Sequence, residues 1–162
     1  MQGEEKEKHP GFKTFYSALA ATVDEKGRLK IPTDALERST DGLKVFITAP
    51  DLREIRVYPI HVWEYNLNLL GNASGNAASA QRFARLARAR GGDGVVDPSG
   101  RVLLPADLRK LMGFDKEPVP VVVELFDGRL NVVTKKVYEE ELAISVANMA
   151  ADKAALEGIG LK

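Results

Sequence analysis

The spacing of apolar and polar residues changes period several times along this chain, and it does so twice in the same order. Ala18 to Val23 is a short apolar run that predicts a strand, and Asp24-Glu25-Lys26-Gly27 follows it. Aspartate suits a turn there because its carboxylate accepts backbone N–H bonds two residues on, and glycine supplies a positive φ without steric cost. After Gly27 the residues alternate, which puts Arg28 and Lys30 on one strand face and Leu29 and Ile31 on the other. Pro32 then opens a short helix, where its missing N–H costs nothing and Asp34 complements the positive end of the helix dipole. Two apolar strands follow, around Val45-Phe46-Ile47 and Ile55-Arg56-Val57-Tyr58, linked by "APDLRE". Val62, Trp63, Leu67 and Leu70 then fall at helical spacing after Pro59, and Gly71 stops the helix.

The whole succession returns further along. An offset of 73 residues lays Asp24, Gly27, Arg28, Pro32 and Asp34 on Asp97, Gly100, Arg101, Pro105 and Asp107. Val95-Val96 is the counterpart of the first strand. Beyond the helix the offset becomes about 75, so that Val121-Val122-Val123, Leu130-Asn131-Val132-Val133 and Val137-Tyr138-Glu139 repeat the later elements. Thr134 is placed as N-cap of a last amphipathic helix carrying Val137, Tyr138, Leu142 and Met149. Between the copies lie "GNASGNAASA" and "QRFARLARAR"; the second predicts a helix with Phe83, Leu86 and Ala87 on one side and Arg82, Arg85 and Arg88 outward. The organisation expected is a flexible extension over 1–13, a first repeat over 14–71, a linker with the Arg-rich helix over 72–92, a second repeat over 93–145 and a tail over 146–162.

Charge and composition narrow the chemistry. Lys plus Arg number 23 and so do Asp plus Glu, so any binding to a polyanion must come from a local patch rather than a global field. There is no Cys, which excludes disulfides and thiolate metal sites, and His9 and His61 are the only imidazoles. The charged start "MQGEEKEKHPGF" does not read as a signal peptide, and no apolar run approaches the ~18 residues of a membrane span. A cytoplasmic protein with no cofactor, no metal, no membrane contact and no small-molecule substrate is expected. A duplicated Asp invites comparison with paired-carboxylate enzymes. Aspartic proteases place a hydroxyl residue and Gly directly after the Asp, whereas Glu25-Lys26 and Pro98-Ser99 stand here. A nearby Arg would also keep both carboxylates ionised instead of letting them share a proton. The expectation is a protein without catalytic activity.

The doubled Asp-x-x-x-Arg with Gly before the Arg, each followed by a Pro-started short helix, resembles the MraZ family of transcriptional regulators, built from tandem SpoVT-AbrB domains. The resemblance runs from about Ala18 to Leu142 and includes "YPIHVWEY" and "QRFARL". It implies a mainly β fold with short helices, an AbrB-like β-barrel of two pseudo-symmetric repeats assembled into a ring-shaped homo-oligomer. It also implies that the loops face double-stranded DNA at direct repeats upstream of the division and cell-wall gene cluster, in a protein associated with the nucleoid. Carried over by position, the DNA-binding residues are Asp24, Lys26, Gly27 and Arg28 in the first copy and Asp97, Gly100 and Arg101 in the second; Lys30, on the strand face of Arg28, joins them as a phosphate contact. An Arg fork placed on guanine contributes roughly 1–3 kcal/mol of discrimination, whereas a lysine acts on phosphate as a point charge. The rival reading is an AbrB-like assembly or antitoxin-type module that binds a protein partner without a specific operator.

The copies are not equal. Where the first has Lys26 and Lys30, the second has Ser99 and Leu103. The first copy is therefore expected to supply most of the electrostatic contact, with Leu103 buried against the other repeat or against a neighbouring subunit.

Overall fold

The computed structural model describes residues 9–162. The described residues form eight strands and five α-helices: β1 (Leu19–Val23), β2 (Arg28–Lys30), β3 (Lys44–Thr48), β4 (Ile55–Pro59), α1 (Ile60–Gly71), α2 (Ala77–Ala89), β5 (Gly91–Val95), β6 (Arg101–Leu103), α3 (Ala106–Met112), β7 (Val119–Phe126), β8 (Arg129–Thr134), α4 (Lys135–Ala147) and α5 (Met149–Ala155). The strands make one antiparallel sheet in the order β5-β3-β4-β8-β7-β1-β2-β6. Its two ends, β5 and β6, meet through the Asp97–Gly100 turn, where the Asp97 N–H donates to the Arg101 carbonyl at 2.9 Å. The sheet is thus a nearly closed barrel, the mainly β architecture of AbrB type that the family resemblance implied.

Most strand partners come from the opposite half of the chain. β1 pairs with β7, β3 with β5, β2 with β6 and β4 with β8. Alternation decides what fills the interior. Leu29, opposite Val102, and Val57, opposite Leu130, all point inward and are buried, as are Val45, Ile47, Val121 and Val132. At about 25 cal/mol per Å² of apolar surface, this shared interior is the main stabilising contribution, and neither half can assemble it alone.

A second apolar layer lies outside the barrel and explains why Val45-Phe46-Ile47 is apolar without a break. Phe46 and Tyr58 face outward from β3 and β4 and are covered by Trp63 of α1 and Ala87 of α2. The Phe46 and Trp63 rings stack at 4.6 Å between centroids. Gly91 lets α2 approach this close: a Cβ there would stand 2.6 Å from the Ala87 carbonyl oxygen and 2.7 Å from that of Ile47. On α2, Arg82, Arg85 and Arg88 face outward as expected, whereas Leu86 stays 39% exposed.

The second half has no such layer. Val133 and Tyr138 stand where the first half has Tyr58 and Trp63, and α4 buries no residue. An open groove of about 430 Å³ remains, lined by Glu124, Val133, Tyr138 and Leu142 among others. Polar contacts hold α4. Thr134 Oγ1 accepts the Val137 N–H at 3.1 Å, the expected N-cap, and Arg53 pairs with Glu141 at 2.9 Å and with Glu140 at 3.4 Å.

Two local findings refine the sequence reading. After Pro32 the chain makes only a 3-10 turn over Thr33–Ala35, while after Pro105 it makes the seven-residue helix α3. The residue types decide this: "ADLRKLM" is rich in helix formers, whereas Ser39 and Thr40 end the first segment in a second 3-10 turn. Of the extension expected over 1–13, residues 1–8 lie outside the described residues. Packing on the barrel begins before residue 14, because Phe12 is buried in the core and the Thr40 hydroxyl donates to the Gly11 carbonyl at 2.7 Å.

The unequal outer layers lead to a stability prediction. Trp63→Ala should cost about 3–5 kcal/mol in urea unfolding, the usual range for a buried tryptophan. Tyr138→Ala, at the equivalent place on α4, should cost less than half as much. Equal losses would mean that α4 packs as α1 does.

Candidate nucleic-acid interface

Both Asp-x-x-Gly-Arg stretches fold into the same turn. In the first, Asp24 Oδ1 accepts the N–H groups of Lys26 at 3.0 Å and Arg28 at 2.9 Å. In the second, Asp97 Oδ1 accepts those of Ser99 and Arg101, both at 2.9 Å. The glycine N–H closes back on the aspartate carbonyl at 2.9 Å in each turn. Gly27 and Gly100 have φ of 80° and 76°, the left-handed region that costs other residues roughly 1–2 kcal/mol. The aspartates therefore shape the loops, and the glycines make the shape possible.

The loops end in the two shortest strands, β2 and β6, which pair as a ribbon. Arg28 lies opposite Leu103, Leu29 opposite Val102, and Lys30 opposite Arg101. Since Leu29 and Val102 point into the barrel, Arg28, Lys30, Arg101 and Leu103 share the outward face. No carboxylate occupies those four positions, and Lys30 and Arg101 are like charges directly across the ladder, an arrangement that destabilises a sheet unless an anion lies over it. The eight residues selected from the sequence are thus brought together on one ribbon and the two loops at its ends. Leu103 departs from expectation within the chain. It is 52% exposed, because the outward face of a two-stranded ribbon has nothing from the other half above it.

The two arginines differ. Arg28 Nε donates to Asp24 Oδ2 at 2.8 Å, with both side chains partly exposed. A pair of this kind contributes about 0–1 kcal/mol to stability, but it fixes the plane of the guanidinium. Among the described residues Arg101 has no such ion pair, so its side chain is less constrained. For Asp24, burial raises the carboxyl pKa, but the Arg28 and Lys26 hydrogen bonds outweigh it and hold the group below its ordinary value of 3.8.

Each loop is also covered from the opposite half. Arg109 of α3 lies over Gly27, and its Nη1 donates to the Lys26 carbonyl at 3.0 Å. Leu36 lies over Gly100, and Lys30 Nζ donates to the Ser99 carbonyl. Leu36 and Arg109 are equivalent at the 73-residue offset, as are Lys26 and Ser99. Arg109 is the residue of this surface that sequence reading did not select. The only signal in the sequence is that the two copies differ there in charge.

A nearly closed antiparallel barrel of AbrB type, carrying two matched turns beside a cationic ribbon, defines the structural class. Comparison with known proteins supplies the family. No family model matches the chain. It is similar to the transcriptional regulator MraZ of Acidobacterium capsulatum, with 30% identity over 141 residues, covering 86% of this chain and 94% of that protein. The transcriptional regulators MraZ of Azotobacter vinelandii and Moorella thermoacetica are 31% and 34% identical over 147 and 126 residues, covering 88% and 78% of this chain and 90% and 85% of theirs. The chain belongs to the MraZ family. Among the described residues, no helix is long and apolar enough to cross a membrane, and no group of three or more potential metal ligands occurs.

The depressed Asp24 carboxyl carries a pH prediction. A lowered folded pKa means that the bonds to Asp24 stabilise the fold fully above the ordinary value. That contribution fades as pH falls through 3.8 and on through the lower folded value. Carbon-detected NMR should place the Asp24 midpoint below 3.8, and Asp24→Asn should flatten the loss of stability below about pH 4. A midpoint at or above 3.8 would mean that the turn bonds do not favour the carboxylate.

Proposed function

We propose that this chain is a sequence-specific DNA-binding regulator of transcription that docks the β2–β6 ribbon and its two loops on double-stranded DNA. Membership of a family whose members are named transcriptional regulators supports a role in transcription. The observation that carries the DNA reading is the outward face of the ribbon, where Arg28, Lys30 and Arg101 lie together with no carboxylate among them. A two-stranded ribbon fits the major groove, and its outward side chains are the ones that can reach base edges. In this reading Arg28 and Arg101 contact bases or phosphates, Lys26 and Lys30 contact phosphates, and Asp24, Gly27, Asp97 and Gly100 shape the loops. The tandem SpoVT-AbrB units lie over 14–71 and 93–145, joined by the linker over 72–92.

The same reading includes assembly. With no net charge and few cations on the ribbon, one chain neutralises few phosphates and binds a single site weakly. A ring-shaped homo-oligomer on direct repeats, upstream of the division and cell-wall gene cluster, raises affinity through effective concentration without new contacts. A second reading, a module that binds a protein partner, draws on α4 and α5, where Ile144, Val146 and Met149 are exposed.

Mobility-shift titration over a salt series tests the proposal. Affinity should fall steeply with salt, and binding should collapse when adjacent repeats are reduced to one. Lys26→Ala should flatten the log–log salt slope by about one unit and weaken all sequences alike, while Arg28→Ala should also relax sequence preference. Salt-independent binding, or equal affinity for one repeat and for several, would count against it and favour the protein-binding module.

A further inference from the structure

The cover over the first loop carries an inference that rests on the DNA reading and goes beyond it. Gly27 and Gly100 need the same thing from the opposite half, an aliphatic surface packed over a residue that has no Cβ. Leu36 supplies it at Gly100, where the carbonyl of Ser99, the counterpart of Lys26, is taken by a separate residue, Lys30. At Gly27 the equivalent position is Arg109, whose Cδ lies where a Cβ of residue 27 would stand. Arg109 Nε is buried there without a hydrogen-bond partner. An unpaired buried donor is unfavourable, so a leucine would cover the glycine at lower cost. What the arginine adds is its Nη1, which donates to the carbonyl of Lys26 at 3.0 Å.

That carbonyl lies between the two residues whose placement matters most. Lys26 and Arg28 both give their N–H groups to Asp24, so a shift of the Lys26 peptide disturbs the turn that aims the Arg28 side chain. Apart from its own internal bonds, the turn has one further tie to the opposite half, the Leu104 N–H, which donates to the Gly27 carbonyl at 2.9 Å and leaves the Lys26 peptide to Arg109. Arg109 ties its apex to α3, on the far side of the chain's duplication.

We propose that Arg109 is a positioning residue for DNA recognition: from the second half it locks the Asp24–Arg28 loop of the first, so that Arg28 meets the DNA in one orientation. The first loop is then a site built by both halves. The guanidinium of Arg28 is fixed twice, by Asp24 directly and by Arg109 through the backbone.

The test uses the full chain and Arg109→Leu, which places over Gly27 the side chain that already covers Gly100. Two measurements are made, amide hydrogen exchange of Lys26, Gly27 and Arg28, and discrimination between a duplex selected by the wild-type protein from a random pool and a scrambled duplex of equal length. Arg109→Leu should speed exchange at the three amides by about tenfold, as expected for loss of a charge-assisted hydrogen bond. It should reduce discrimination by a similar factor, with the melting temperature and the salt slope unchanged. Arg109→Lys should restore part of both. Unchanged exchange overturns the proposal whatever happens on DNA, and so does faster exchange with discrimination intact. A salt slope flatter by about one unit with discrimination kept would make Arg109 a direct phosphate contact instead. If the variant loses its melting transition, Arg109→Lys decides, since a lysine that keeps the fold and the exchange pattern but not discrimination also overturns the idea. A wild-type protein that selects no sequence defeats the DNA reading itself, and the exchange measurement still judges the brace.

Discussion

The pairing of two three-residue strands, Arg28–Lys30 with Arg101–Leu103, is the constraint on which the rest of the molecule depends. It joins the halves beside the seam where β5 and β6 meet, and its single inward pair, Leu29 with Val102, sets which residues face solvent. A slip of one residue would turn the charges into the core and the leucine and valine outward, at prohibitive cost in buried charge. The register is therefore fixed by the interior, and the exterior inherits its geometry. The ribbon keeps a cationic outer face because its inner face has to be apolar.

Around that seam the halves exchange strands at every other joint as well. The arrangement places each loop under a side chain of the opposite half, so the interior of the barrel and the shape of the loops are linked. A loop set on short strands in a closed barrel has few ways to move. This is the physical basis for treating Arg28, held to Asp24 by a 2.8 Å bond, as pre-oriented.

Much of this could be read from the chain alone. The doubled turn, the alternation after each glycine and the start of the helix at Thr134 all rest on local chemistry, where residue type decides conformation, and each was found where expected; that helix ends at Ala147, and Met149 opens α5 instead. The barrel followed from the resemblance those residues carry. What could not be read were facts of neighbourhood. Nothing local says that Leu103 lies opposite Arg28 and stays exposed, or that Lys30 reaches the carbonyl of Ser99. Arg109 escaped notice for the same reason: in sequence it is an ordinary cation on a short helix, and only the crossing of the halves brings it to Gly27. The length of the helix after Pro105, against a single turn after Pro32, was legible in principle from helix propensity.

The crossing has a consequence for the kind of site the protein can read. Two identical chains paired in this way would have to carry the same residues at both loops, and their target would be a palindrome. Here both loops belong to one polypeptide, and each position was free to change by itself: Lys26 against Ser99, Lys30 against Leu103, Arg109 against Leu36. The barrel keeps the frame of a symmetric dimer while its outer face has a distinguishable head and tail. On the proposed DNA reading, a protein of this design would lie on the duplex with a direction.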